Sequence, residues 1–211
     1  VSLVFDDGIK RLARVLDVEN RQFELVQELA ENVELPIQVT IASGFPKGDK
    51  LEFITQKVTE LGASQIWSFP ADWSVAKWDG KKLGKKVEKL EKIALGAAEQ
   101  SKRNIVPSIK LFEKKADFLA KLDQFDSIIV AYEESAKEGE AAALLKAVTG
   151  LEKGDKLLFI FGPEGGLSPA EIESFEAKGA VLVGLGPRIL RAETAPLYAL
   201  SALSVLLELE K

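Results

Sequence analysis

The chain has 211 residues, is 46% hydrophobic and 29% charged, and carries a net charge of −5. It contains no His, Cys or Met, which excludes disulfides, thiolate nucleophiles, His or Cys metal sites and imidazole catalysis. Chemistry at this chain must run through carboxylates, Lys, Arg, hydroxyls, backbone groups or a cofactor.

The length fits one or two domains. No apolar run reaches the roughly 18–20 residues of a membrane span, and no signal-peptide pattern opens the chain. The absence of Cys fits a reducing cytoplasm. The chain does not begin with Met, and its natural N-terminus is expected to lie upstream.

Residues 1 to about 33 read as short strands. SLVFDDG, KRLARVLDV and RQFELVQEL are separated by turn signals, and their apolar residues partly alternate. Three strands make a poor free-standing domain, so they read as the tail of a small β-barrel. Glu34 to Pro36 is the expected hinge.

After Pro36 strands and helices alternate. IQVTIASG, SQIWSFPA, SIKLF, SIIVAYE, KLLFIFG and AVLVGLG are predicted strands. Helices are predicted at Lys47–Leu61, Asp79–Ser101, Ala116–Leu122, Glu138–Val148, Pro169–Lys178 and Ala195–Glu210. This alternation predicts an α/β fold with a parallel sheet and helices on both faces. The final helix is apolar nearly all round, which demands burial in a core or against a partner.

Charge is uneven. Lys77 to Lys115 holds twelve basic and five acidic residues, +7, leaving −12 for the remainder. Lys81, Lys85, Lys89 and Lys92 recur at helical spacing opposite Leu83, Val87, Leu90, Ala94 and Ala97. Alone, such a stripe fits a solvated helix face; a basic band also permits a polyanion partner.

Two glycine-rich loops stand out. Gly162 to Gly166 follows a buried strand and precedes a capping box of Ser168 and Glu171, with Pro169 at the first helical position. Such a turn at the carboxyl end of a strand is where open α/β sheets place ligands. The second loop runs from Gly184 to Thr194, the expected N-cap of the last helix. A dinucleotide fingerprint fails here, because the position three beyond Gly186 is Ile189. Arg188, Arg191 and Glu193 crowd this loop, and two such loops after adjacent strands point to a ligand cleft.

Five segments occur together and in order: GDKLEFITQKVTELG (48–62), SVAKW (74–78), AAEQSKRNIVP (97–107), FGPEGGLSPAEI (161–172) and LGPRILRAETAPLYAL (185–200). In these the chain resembles the bacterial 16S ribosomal RNA uracil-N3 methyltransferases of the SPOUT class. Trp73 stands just before SVAKW, where many relatives carry Arg.

The resemblance implies a methyltransferase domain over residues 36–211 with a C-terminal trefoil knot. It makes residues 1–35 the remnant of a PUA-like β-barrel that binds RNA. It also implies S-adenosylmethionine as cofactor, a homodimer, and 16S rRNA of the small ribosomal subunit as partner, with no metal or membrane. Phe161, Gly162, Pro163, Gly165, Gly166, Leu185, Gly186, Pro187, Ile189, Leu190 and Thr194 would then hold the cofactor.

Uracil N3 must lose a proton to become a nucleophile. Glu164 and Glu193 are the loop carboxylates placed to accept it, and Arg191 is the cation placed to stabilise the anion. A structural role for Glu193 is an equal expectation. Lys81, Lys85, Lys89, Gln100, Ser101, Lys102 and Arg103 are expected to grip the RNA backbone. Competing readings are another RNA methyltransferase of the class, acting on tRNA or ribose 2′-OH; a non-catalytic RNA-binding or ribosome-assembly module; and a nucleotide-binding oxidoreductase.

Overall fold

Along the central strands successive side chains enter two different cores, one on each face of the sheet. The computed structural model describes residues 1–5, 7–132 and 141–209. Near the N-terminus β1 (Ser2–Val4), β2 (Lys10–Asp17) and β3 (Gln22–Leu29) form an antiparallel sheet in the order β1-β2-β3. These are the strands expected from sequence. The sheet has little core of its own: Val15, Phe23, Leu25 and Val26 are exposed, and only Lys10 and Ala13 are buried.

The larger sheet contains β4 (Gln38–Gly44), β5 (Gln65–Phe69), β6 (Ser108–Leu111), β7 (Ser127–Ala131), β8 (Lys156–Phe161) and β9 (Val181–Val183). All are parallel, in the order β6-β5-β4-β8-β7-β9. Along β8, Leu157, Phe159 and Phe161 point into one core, and Leu158 and Ile160 into the other. Both faces are therefore covered, as the near-continuous apolar strands require.

Helix α1 (Lys50–Glu60) and helix α6 (Ala195–Ser204) contribute Ile54, Val58, Leu200 and Leu203 to the first core. Helix α3 (Lys115–Leu119) and helix α5 (Pro169–Glu176) contribute Phe118, Ile172 and Phe175 to the second. The basic helix is α2 (Gly80–Gln100), capped by the Asp79 carboxylate accepting from the Lys82 N–H at 2.9 Å. Its predicted apolar stripe is buried at Leu83, Leu90, Ala94 and Ala97. Helix α4 (Ala141–Thr149) matches the end of the predicted Glu138–Val148 helix, whose first residues lie outside the described ones.

Several boundaries differ from the sequence expectation: the helix predicted at Ala116–Leu122 ends at Leu119, the one predicted to Lys178 ends at Glu176, and the last strand is only Val181–Val183. Two further differences bear on the site and the last helix. Helix α1 begins at Lys50 rather than Lys47, because Gly48 takes φ +65° and the Lys47 N–H donates to the Glu164 carboxylate at 3.0 Å. The last helix is α-helical only to Ser204 and widens into a π-turn over Val205–Leu209; Glu210 lies outside the described residues. The helix is also not buried all round. Ala199, Leu200 and Leu203 are fully covered, whereas Tyr198, Val205 and Leu209 are exposed.

Arg103 joins the two sheets rather than reaching solvent. Its side chain is only 3% exposed and forms an ion pair with Glu34. Its Nη1 donates to the carbonyls of Thr59 (3.0 Å) and Ala63 (2.6 Å). Glu34 also accepts from the N–H groups of Asn104 (2.8 Å) and Ile105 (3.1 Å). Asn104 Nδ2 donates to the carbonyls of Gly8 and Glu31 in the small-sheet region. The expectation that Arg103 grips RNA is corrected: its guanidinium is consumed by this buried latch at the expected hinge.

Candidate active site

The carboxyl ends of β7, β8 and β9 open into a cleft of about 760 Å³, within the range typical of small-molecule sites. Both glycine-rich loops line it. Of the residues expected to hold a cofactor, Phe161, Gly162, Pro163, Gly165, Gly166, Leu185, Gly186, Ile189 and Leu190 line the cleft. Pro187 and Thr194 do not line it. Thr194 sits at the N-cap position of α6 with helical angles, and its hydroxyl makes no capping bond.

Local sequence explains how the loops hold their shape. The Ser168 hydroxyl accepts from the Glu171 N–H at 3.2 Å, and the Glu171 carboxylate accepts from the Ser168 N–H at 2.9 Å. This completes the expected capping box and fixes where the first loop ends. Within the loop a Cβ on Gly162 would lie 2.9 Å from the Gly166 carbonyl carbon. Backbone cannot yield there, so only glycine fits. In the second loop Gly186 takes φ +87°, again a glycine conformation.

A residue that sequence reasoning missed ties the loops together. Lys50, at the start of α1, places Nζ 3.0 Å from Glu164 Oε1 and 3.0 Å from Glu193 Oε2. Burial pushes Glu164 upward, but its own backbone N–H, the Lys47 N–H and the Lys50 ammonium outweigh this and hold it below the ordinary Glu value. Burial likewise raises Glu193, and Lys50 leads the groups that pull it lower. The hydrogen bonds that the Lys50 ammonium donates to Glu193 and Glu164 raise its own pKa in turn. This arrangement favours a positioning role for both carboxylates over proton acceptance, since a base with a depressed pKa is a weak one.

Two predictions follow from this clamp. Lys50→Met leaves two partly buried carboxylates facing each other and is expected to weaken cofactor affinity about 10-fold or more, measured by calorimetry. An affinity within twofold of wild type would remove the clamp. The second concerns pH. Folded-state pKa values below the unfolded ones contribute stability above the unfolded value, which is lost as pH falls. The melting temperature should therefore be flat from about pH 8 to about pH 5.5 and drop below about pH 4.5. The drop should be shallower in Lys50→Met, as thermal scans across pH would reveal.

Two further cations belong to the second loop. Arg188 and Arg191 line the cleft. The Arg191 carbonyl accepts from the N–H groups of Thr194 (2.9 Å) and Ala195 (3.0 Å), so its backbone is fixed at the start of α6. Its side chain is 81% exposed, 3.9 Å from Glu193 Oε1. Among the other expected RNA contacts, Lys81, Lys85, Lys89, Gln100 and Lys102 are exposed. Lys89 is paired with Glu52 at 2.6 Å. Ser101 is half-buried and its hydroxyl donates to the Ala97 carbonyl at 2.7 Å. No cluster of metal-ligating side chains occurs among the described residues.

Known proteins are similar to this chain in sequence and fold. Residues 33–204 match the RNA methyltransferase domain family. The ribosomal RNA small subunit methyltransferase E of Bacillus subtilis is 56% identical over 179 residues, covering 85% of this chain and 70% of that protein. A ribosomal RNA small subunit methyltransferase E from Neisseria gonorrhoeae, solved bound to S-adenosyl methionine, superposes with TM-score 0.78 at 28% identity. That match covers 98% of this chain and 83% of the other. A putative methyltransferase from Legionella pneumophila, solved with the same cofactor, also gives TM-score 0.78 at 28% identity, over 97% and 81% of the two chains. With a parallel sheet, two glycine loops in one cleft and these relatives, the chain belongs to the RNA methyltransferase family, among the ribosomal RNA small subunit methyltransferases E.

Proposed function

We propose that this chain transfers a methyl group from S-adenosylmethionine to N3 of a uridine in 16S rRNA of the small ribosomal subunit. The carrying observation is the convergence of both glycine loops on one cleft whose rim bears Arg188 and Arg191. The cofactor's sulfonium supplies the electrophilic methyl, so the chain need form no covalent intermediate. Its size and glycine-lined backbone suit such a ligand, and Leu185, Ile189 and Leu190 offer apolar contacts for an adenine.

The chain's own work is alignment and charge. Lys50, Glu164 and Glu193 set the spacing of the loops, and Arg191 reaches the open side to stabilise the uracil anion. Proton acceptance by Glu164 or Glu193 is the weaker reading, because Lys50 pairs with both and helps hold both pKa values below the ordinary Glu value. Lys81, Lys85, Lys89, Gln100 and Lys102 extend the basic surface toward the RNA backbone.

The finer architecture belongs to the same proposal. Residues 1–35 are read as part of a PUA-like barrel and 36–211 as the catalytic domain, with a trefoil knot formed by the segment after β9. The return of α6 to the first core, beneath β4 and β8, supports that path. A homodimer through α6 is supported by the exposed Tyr198 and Val205 beside Leu145. No helix among the described residues is long and apolar enough to cross a membrane; the proposed setting is the cytoplasm, where the ribosomal substrate is.

The test is mass mapping of 16S rRNA after incubating small subunits with the protein and S-adenosylmethionine. A single uridine gaining one methyl at N3 is expected. Unmodified RNA under conditions where calorimetry shows cofactor binding would point instead to an RNA-binding module.

A further inference from the structure

Trp73 is a large, half-exposed aromatic residue at the cleft that the proposed reaction leaves without a role. It lies between β5 and α2, lines the cleft, and is 50% exposed. The other tryptophans are committed elsewhere. Trp67 is buried among Phe112, Phe118 and Phe125, and Trp78 packs on Phe45 with ring centroids 4.3 Å apart.

The position of Trp73 is built. The preceding Asp72 donates its N–H to Glu171 Oε1 at 2.9 Å, and its carboxylate accepts from the Ser168 hydroxyl at 2.6 Å and from Lys115. Glu171 and Ser168 are the capping pair that ends the first glycine loop. The Trp73 backbone and Cβ press on that loop so closely that a Cβ on Gly165 would sit 3.0 Å from Trp73 Cβ and 3.1 Å from its carbonyl oxygen. The indole lies alongside Gly166, its Cε3 and Cζ3 each 3.9 Å from where a Cβ there would be. A half-exposed ring is thus fixed to the cleft wall, with cations on the second loop and the basic α2 directly downstream.

We propose that Trp73 is the stacking platform for the uracil ring that enters the cleft. The proposal rests on the methyltransferase reading above. A flat apolar face is what an unstacked base needs when it leaves its neighbours, and Arg188 and Arg191 of the same cleft would hold the flanking phosphates. The cofactor's adenine is the poorer occupant, because the glycine loops with Leu185 and Leu190 already offer it a more enclosed apolar wall.

The experiment combines kinetics on small subunits with fluorescence titration by oligouridylate. Trp73→Ala is expected to lower kcat/KM for RNA about 5- to 150-fold, the range of a lost base stack, with S-adenosylmethionine affinity within twofold. Trp73→Phe should stay within threefold of wild type. Oligouridylate should quench the wild-type tryptophan emission, and Trp73→Phe should abolish that quench. The proposal is overturned if Trp73→Ala, shown folded by its melting curve, loses cofactor affinity instead. It is equally overturned if kcat/KM changes less than threefold, or if the quench survives in Trp73→Phe. Should the wild-type protein bind oligouridylate with a Trp73-dependent quench yet methylate no subunit, the reaction assignment fails while the platform stands.

Discussion

Arg103→Ala should destabilise the protein by about 3–5 kcal/mol, the usual cost of removing one partner of a buried ion pair. Without the guanidinium, Glu34 keeps a carboxylate that is only 11% exposed and has no counter-charge. The Ala63 carbonyl loses the Arg103 donor at the same time, and the Thr59 carbonyl keeps only the Gly62 N–H. For a chain of this size the melting temperature should fall by about 10 °C. Arg103→Lys should recover little, because a single ammonium cannot reach the carboxylate and the carbonyls together. Urea unfolding would measure the loss, and RNA affinity below the transition should stay within about twofold of wild type. A stable variant with weakened RNA binding would return Arg103 to the RNA surface.

The second large effect is on turnover. Arg191→Ala should reduce kcat about 100- to 1000-fold, the scale of losing one preorganised group that stabilises developing negative charge. Cofactor affinity should stay within threefold, since the Arg191 side chain points largely to solvent and its carbonyl, which anchors α6, is unaltered. The pH profile separates this role from simple RNA attraction. If Arg191 favours the uracil anion, its loss raises the pH needed to deprotonate N3, so the variant should recover part of its rate as pH rises. Near-normal turnover with intact cofactor binding would sink the assignment.

Much of this was legible in the residues themselves. The runs that become β4, β5, β7 and β8 are short, apolar and bounded by turn residues, so the parallel sheet could be read from local pattern. The capping box at Ser168 is a local signal and formed as expected. Lys50 and Arg103 show where local reading stops. Lys50 looks like one of many helix-start lysines; its partners lie far along the chain, and only the sheet order brings them together. Arg103 follows a basic helix and so reads as surface charge. Its burial follows from packing of the hinge against the α2–β6 connection, which no spacing rule reports. Trp73 stands out beside SVAKW in the sequence, but its use depends on how the glycine loop lies against it.

The central pairing of the large sheet also governs when the site can exist. Strand β4 aligns Gln38 with Lys156 and Ser43 with Phe161, so neighbours at the middle of the sheet lie 118 positions apart in the chain. Joining them closes a loop of most of the domain before the cleft has a floor, and such long-range closure slows folding. On a translating ribosome β4 and β5 emerge early but wait for β8, and both glycine loops arrive later still. The cleft can therefore assemble only after the segment through Ala195 that completes its lining has been made.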